Sequence, residues 1–284
     1  MSIERIETVR GLRERIAAAR RAGDTIGLVP TMGALHAGHA ALIEQAVREN
    51  ALVIVSIFVN PIQFNRQDDF ERYPRDLSAD ASFCEERGVH VVFAPSGAEM
   101  YPEPQRAFVD VEDLTKHLCG KFRPGHFRGV TTVVMKLLQV VQPDRAYFGE
   151  KDAQQLAVVR RMVRDLNVPV SILGVPTVRE ADGLALSSRN RLLSPAERAV
   201  APRLYEALRT AARRISNGAA DAEEVREEAL GVLAVEPRFR VEYLEIVDAD
   251  EMQPVARITG SVRVAAAAWL GGTRLIDNVL AAPG

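Results

Sequence analysis

Residues 25–59 read TIGLVPTMGALHAGHAALIEQAVRENALVIVSIFV. Both ends are short apolar runs rich in β-branched residues, at 25–29 and 51–59. Between them, residues 39–50 carry Leu42, Ile43, Ala46 and Val47 at helical spacing. An unbroken run such as 51–59 suits a strand covered on both faces. Strand, helix, strand in that order predicts a βαβ unit with parallel strands and a right-handed crossover.

The alternation extends outward from this unit. Upstream, residues 3–21 place Ile6, Val9, Leu12 and Ile16 on one helical face, and Gly23-Asp24 ends that helix. Downstream, helices are expected at 77–87, 131–141 and 152–166, with strands at 89–93, 145–148 and 170–173. Repeated β/α alternation predicts an α/β fold with a doubly wound parallel sheet. After residue 177 the pattern changes. Ser194-Pro195-Ala196-Glu197 reads as an N-cap, a proline at the first helical position and an acidic first turn. Helices at 195–216 and 220–235 precede strands at 240–247, 261–267 and 273–278 that have no helices between them. We therefore expect a first domain over 1–177 and a smaller α+β domain over 178–284.

Composition narrows the function classes. The 284 residues are 47% hydrophobic and 26% charged, with a formal net charge of -2. A nucleic-acid partner usually needs a strong basic excess, so none is expected. Cys84 and Cys119 form no CxxC pair and no zinc-type cluster with histidine. They read as reduced thiols. Residues 1–15 are charged throughout and lack an apolar signal core. The run at 51–59 is far shorter than the ~20 residues that span a bilayer. The expectation is a soluble cytoplasmic protein that engages no membrane.

Chemistry concentrates where expected strands end, the place ligands occupy in doubly wound sheets. Pro30-Thr31-Met32-Gly33-Ala34-Leu35-His36-Ala37-Gly38-His39 joins the first strand to its helix. Gly33 and Gly38 let backbone approach a ligand, and a helix start offers unpaired N–H groups to phosphate. His36 and His39 stand three apart, so both imidazoles can face one ligand. Taken alone, the HxGH pattern also fits two unrelated histidines in a surface loop. It is neither a GxxxxGK[ST] loop nor a GxGxxG turn. Phe58-Val59-Asn60-Pro61-Ile62-Gln63-Phe64 follows the apolar run, and Gln63 offers a donor and an acceptor to a hydroxyl or carboxylate. Tyr147-Phe148-Gly149-Glu150-Lys151-Asp152-Ala153-Gln154-Gln155 also follows a strand. Its Lys151 is a point charge for phosphate, with Gln155 four residues on along the same helical face. Val178 to Asn190 contains Leu186-Ser187-Ser188-Arg189, either a phosphate clamp or a serine-rich linker. His126, between proline and glycine neighbours, reads as a structural loop residue. Trp269 reads as core.

Together PTMGALHAGH, FVNPIQF, RPGHFRGV, YFGEKDAQQ, DGLALSSRN and RLIDN resemble the ordered motif set of the pantothenate synthetase family, from Pro30 to Asn278. The resemblance implies a Rossmann-like domain with a smaller C-terminal domain, a homodimer and a requirement for Mg²⁺. It implies that ATP and (R)-pantoate give a pantoyl adenylate, which β-alanine converts to pantothenate and AMP. Carried over residue by residue, it implies catalytic roles for His36, His39, Lys151, Ser187, Ser188 and Arg189, with His39 as the acid. ATP would be bound by Met32, Gly33, Ala34, Leu35, His36, Ala37, Gly38, His39, Gly149, Glu150, Lys151, Asp152, Val178, Leu186, Ser187, Ser188 and Arg189. Gln63 and Gln155 match the pantoate-binding glutamines, Gln63 also bordering the β-alanine site. No protein ligand of the metal is implied. The chain departs from the family pattern at Ala153, where an aromatic residue is usual, and at Ala40-Ala41, where bulkier residues are common.

Overall fold

The structure is a computed structural model and describes residues 3–284. The chain divides into two compact units. The first comprises Met1–Val111, Pro124–Glu150 and Val158–Pro176; the second comprises Glu112–Arg123, Lys151–Ala157 and Thr177–Gly284.

In chain order the elements up to residue 175 are β1 (Glu4–Ile6), α1 (Val9–Ala22), β2 (Ile26–Thr31), α2 (Ala37–Glu49), β3 (Leu52–Ile57), α3 (Gln67–Arg72), α4 (Leu77–Glu85), β4 (Val91–Phe93), α5 (Gly97–Met100), α6 (Leu118–Phe122), α7 (His126–Val141), β5 (Arg145–Gly149), α8 (Ala153–Asp165) and β6 (Ser171–Val175). The six strands pair in parallel in the order β1-β4-β3-β2-β5-β6. The chain runs outward from β2 through β3 to β4, then returns to β5 and β6 on the other side. This is the doubly wound pattern read from the alternation, and it puts the switch point between β2 and β5. Val29, Val53, Val55 and Val92 are fully buried beneath α2 residues Ile43 and Ala46, as strands covered on both faces require.

The sequence-based boundaries hold for β2, α2 and β3 to within two or three residues, and three other elements differ. Residues 3–21 are not one helix. Glu4–Ile6 pairs in parallel with Val91–Phe93, and Thr8 caps α1 by accepting from the Gly11 N–H. A three-residue edge strand is too short to show a period of two. Helix α7 begins at His126 rather than Thr131, because Gly125 takes a left-handed φ of 78° and starts the helix there. His126 is thus a buried first-turn residue and not a loop residue.

The second unit holds α6, α9 (Pro195–Val200), α10 (Arg203–Ser216), α11 (Ala222–Ala234) and an antiparallel sheet of β7 (Phe239–Asp248), β8 (Val262–Leu270) and β9 (Thr273–Ala281). Ser194 and Glu197 form the reciprocal N-cap anticipated for α9. The single helix expected over 195–216 is two, separated at Ala201-Pro202, since proline lacks the N–H that would continue α9. Leu204, Leu208, Ala211 and Ile215 of α10 pack with Val264, Ala266 and Ala268 of β8 into one buried cluster. Burying each leucine or isoleucine contributes roughly 1.5–3 kcal/mol.

Candidate active site

In the first unit, the segment between β2 and α2 is held almost wholly by its own hydrogen bonds. Gly33 and Ala34 have φ of 83° and 52°, a left-handed pair that turns successive N–H groups to one side. Those amides do not wait for phosphate. The buried carboxylate of Asp80, from α4, accepts from Ala34 N at 2.9 Å and from Leu35 N at 2.8 Å. A side chain at Gly33 would meet Asp80 Oδ2 at 2.7 Å, so glycine is required there for space and for φ. His36 is the N-cap of α2. Its Nδ1 accepts from Gly38 N at 3.1 Å, while His39 Nδ1 accepts from His36 N at 3.3 Å.

The helix start therefore offers fewer unpaired amides than anticipated from sequence. It offers imidazoles. With each Nδ1 accepting from an amide, the proton sits on Nε2, which makes Nε2–H the donor and the neutral ring the tautomer that fits the cap. The two rings stand 4.2 Å apart between centroids, tilted 52° to one another.

Gln63 lies in a 3-10 turn, Pro61–Gln63, beyond β3 and is buried. Its Nε2 is 2.9 Å from Met32 Sδ, which brings the second motif against the first. The Gln63 carbonyl contacts His126 Nδ1 at 2.8 Å. Helix α7 approaches this turn closely: a Cβ on Gly129 would meet Ile62 O at 2.4 Å.

In the second unit, Lys151 lies in a 3-10 turn, Glu150–Asp152, ahead of α8 rather than within the helix. Its carbonyl accepts from Asn278 Nδ2 at 2.8 Å, and its Nζ is 3.8 Å from Asp152 Oδ2. The adjacent glutamines differ. Gln154 is buried and donates to Leu114 O and His117 O, both at 2.8 Å, anchoring residues 112–123. Gln155 is half-buried.

Residues 178–190 are not a loose linker. Arg179 bridges to Ala185, Leu186 N donates to Val178 O, and Arg179 makes a two-pronged ion pair with buried Asp277 at 2.6 and 2.9 Å. Breaking such a buried pair costs about 3–5 kcal/mol. Ser187 caps the 3-10 turn Ser188–Leu192 by accepting from Arg189 N at 3.2 Å, which sets the direction of the Ser-Ser-Arg run.

A basic cluster that sequence reading left unassigned stands beside Arg189. Burial pushes the Arg123 guanidinium down from its ordinary range; the Cys119 thiol opposes this, and Arg274 and Arg189 add to it. Glu242 partly balances the charge. Burial disfavours its ionised form, yet Arg274 and the Trp269 Nε1–H hold its carboxyl below its ordinary value of 4.5. Trp269 is accordingly half-buried, with Arg240 over its ring, and not the core residue expected. A carboxyl depressed in the folded state adds stability above its ordinary value and loses it as pH falls through the depressed one. Thermal melts are expected to show Tm declining below pH 4.5, with Glu242→Gln less acid-sensitive over that interval but lower-melting at neutral pH. Identical pH profiles would refute this.

The pantoate–β-alanine ligase family model matches residues 4–280. The chain belongs to the pantoate–β-alanine ligase family. As a member of this family it is a ligase. It is 52% identical over 278 residues to the pantothenate synthetase of Moorella thermoacetica, covering 98% of each chain. The crystal structure of pantothenate synthetase from Thermus thermophilus superposes with a TM-score of 0.92 at 49% identity, covering 98% of this chain and 99% of that one. The pantoate–β-alanine ligase from Francisella tularensis, solved in complex with β-γ ATP and β-alanine, superposes with a TM-score of 0.81 at 34% identity, covering 98% and 97%.

For a ligase of this family, the departure at Ala153 is accommodated by packing. Ala153 is buried among Leu118, Tyr243, Val247 and Met252, and Tyr243 stacks on Phe122 at 5.8 Å. The structure also adds residues that the motifs did not single out: Asp80 behind the histidine turn, Asn60 beside Gln63, and Arg123 beside Arg189. Asn60 lies within a motif already quoted, and its burial beside Gln63 marks it. Asp80 carries no local signal, since its partners lie 45 and 46 residues away.

Proposed function

We propose that this chain condenses (R)-pantoate with β-alanine, using ATP, to give pantothenate, AMP and pyrophosphate through a pantoyl adenylate. The observation that carries this reading is the fixed imidazole pair at the sheet's switch point, with Gln63 against Met32 of the same turn. In-line attack of a carboxylate on the α-phosphorus brings two anions together. The helix N-terminus and the Nε2–H donors of His36 and His39 offset that repulsion, and we assign Lys151 and Arg189 to the same task through their charge. His39 donates toward developing phosphate charge as a neutral imidazole. Gln63 and Gln155 are the uncharged amides assigned to pantoate. Uncharged amides suit a hydroxy acid, where a phosphorylated substrate would call for arginine or lysine. The adenylate must be kept from water.

Magnesium enters this scheme with its nucleotide. Among the described residues no group of three His, Cys, Asp or Glu forms a metal cage. Mg²⁺ typically keeps several waters and binds through substrate phosphates. We therefore assign Mg²⁺ to the nucleotide rather than to a protein site. We also infer a homodimer working in the cytoplasm. Among the described residues no helix is long and apolar enough to cross a membrane, and both cysteines are buried and unpaired.

The test is AMP release across a panel of small carboxylic acids and amines. Pantoate and β-alanine together should give the highest rate, and pyrophosphate exchange should require pantoate alone. Exchange supported equally by other acids would overturn the substrate assignment. Gln155→Ala is expected to raise the KM for pantoate about tenfold or more, as loss of a hydrogen bond to a charged group does, with the KM for ATP little changed. A defect confined to ATP would contradict its role.

A further inference from the structure

Behind Gln63 lies a chain of buried and half-buried polar groups that the reaction as outlined does not use. Tyr101, one residue past α5, donates its OH to Asn60 Oδ1 at 2.8 Å. Asn60, 1% exposed, donates Nδ2 to the Gly129 carbonyl at 3.1 Å and to Gln63 Oε1 at 3.0 Å. The order of these bonds follows from their fixed end. A backbone carbonyl can only accept, so Asn60 must turn its NH₂ toward Gly129 O. Its Oδ1 then faces Tyr101, which must donate. The second hydrogen of its NH₂ faces Gln63, which must present its oxygen. Gln63 Nε2 is thereby turned the other way, to Met32 Sδ at 2.9 Å.

We propose that Tyr101 is a positioning residue for the acid subsite: through Asn60 it fixes the Gln63 amide so that Gln63 meets the carboxylic acid as a donor only. The inference rests on the assignment of Gln63 to pantoate made above. It narrows what that side chain recognises. Gln63 selects an oxygen that accepts, a carboxylate or hydroxyl lone pair, and rejects a donor in the same place. Met32 Sδ, a weak acceptor, holds the Nε2 in the meantime and is readily displaced by a better one. Burial pushes the Tyr101 phenol well above its ordinary range, so it stays a donor throughout the working pH interval. Lys136 lies over the ring, its ammonium 4.8 Å from the Tyr101 ring centroid.

Tyr101→Phe keeps the ring and removes the donor. It is expected to raise the KM for pantoate about tenfold, the cost of a lost hydrogen bond to a charged group, with the KM for ATP within about twofold. In a Gln63→Ala background it should add nothing, because its effect passes through Gln63. Gln63→Glu keeps the inward oxygen and puts an oxygen where Nε2 was, so it should raise the KM for pantoate beyond the Gln63→Ala value. An unchanged KM for pantoate, equal rises for both substrates, or additive effects in the double variant would overturn the proposal. Hydrogen exchange at the Asn60 side-chain amide, followed by NMR without substrate, gives an independent reading. Slow exchange in the wild type and fast exchange in Tyr101→Phe support the network. Equal rates overturn it. Should the wild type show no pantoate dependence, the substrate assignment fails while the exchange experiment still decides the network.

Discussion

His39→Ala is expected to lower pantoate-dependent pyrophosphate exchange by roughly a hundredfold or more, as loss of a donor aimed at developing charge does. Two things are removed at once. One is the Nε2–H. The other is Nδ1, which accepts from His36 N and so helps cap α2. The cap matters because His36 Nδ1 is itself set by the same turn, through Gly38 N. Losing a cap costs about 0.5–2 kcal/mol of stability, which a melt would register. His39→Asn separates the two effects. Its side-chain oxygen can take the His36 amide, while no ring nitrogen reaches toward the nucleotide. The asparagine variant should melt within a few degrees of wild type and remain as inactive as the alanine variant. Near-normal exchange in the asparagine variant would remove His39 from the chemistry.

Asp80→Asn addresses the layer behind this pair. The carboxylate serves two amides with two oxygens, whereas an amide side chain has only one oxygen to offer. An unsatisfied buried N–H costs about 1–3 kcal/mol. Where that cost falls explains what the sequence could and could not reveal. The β2–α2–β3 unit was legible because two apolar runs and one helical stripe are local signals. The strand ends where chemistry was expected followed from it, since strand ends in a doubly wound sheet collect ligands whatever the side chains are. The wiring of the turn was not legible. Histidine lies outside the usual Ser, Thr, Asp and Asn N-cap vocabulary, so His36 gave no capping signal. Asp80 sits in a short helix, and its contacts depend on how α4 packs. Gln154 and Gln155 are indistinguishable in sequence, and only their helical phase makes one an anchor and leaves the other half-buried.

Lys151→Ala is expected to lower adenylate formation by roughly a hundredfold or more, through loss of the positive charge proposed to face the phosphates. The structure keeps that charge in reserve. Lys151 Nζ is 3.8 Å from Asp152 Oδ2, an ion-pair distance but too long for a hydrogen bond, and its side chain is 19% exposed. The backbone is the part that is fixed. Asn278 holds the Lys151 carbonyl, Arg263 holds Asn278 Oδ1 at 2.6 Å, and Asp277 accepts from Asn278 N at 2.7 Å. Asn278→Ala thus loosens the mount and leaves the ammonium in place. It should cost about tenfold, less than removal of the charge. Lys151→Arg keeps a charge but spreads it over a planar fork of different reach, so it should recover only part of the activity. Rapid-quench measurement of the pantoyl adenylate distinguishes these outcomes from effects on the later attack by β-alanine. If Lys151→Ala forms adenylate within tenfold of wild type, the charge at this turn is not what steadies the triphosphate, and the basic cluster of Arg123, Arg189 and Arg274 must supply it instead.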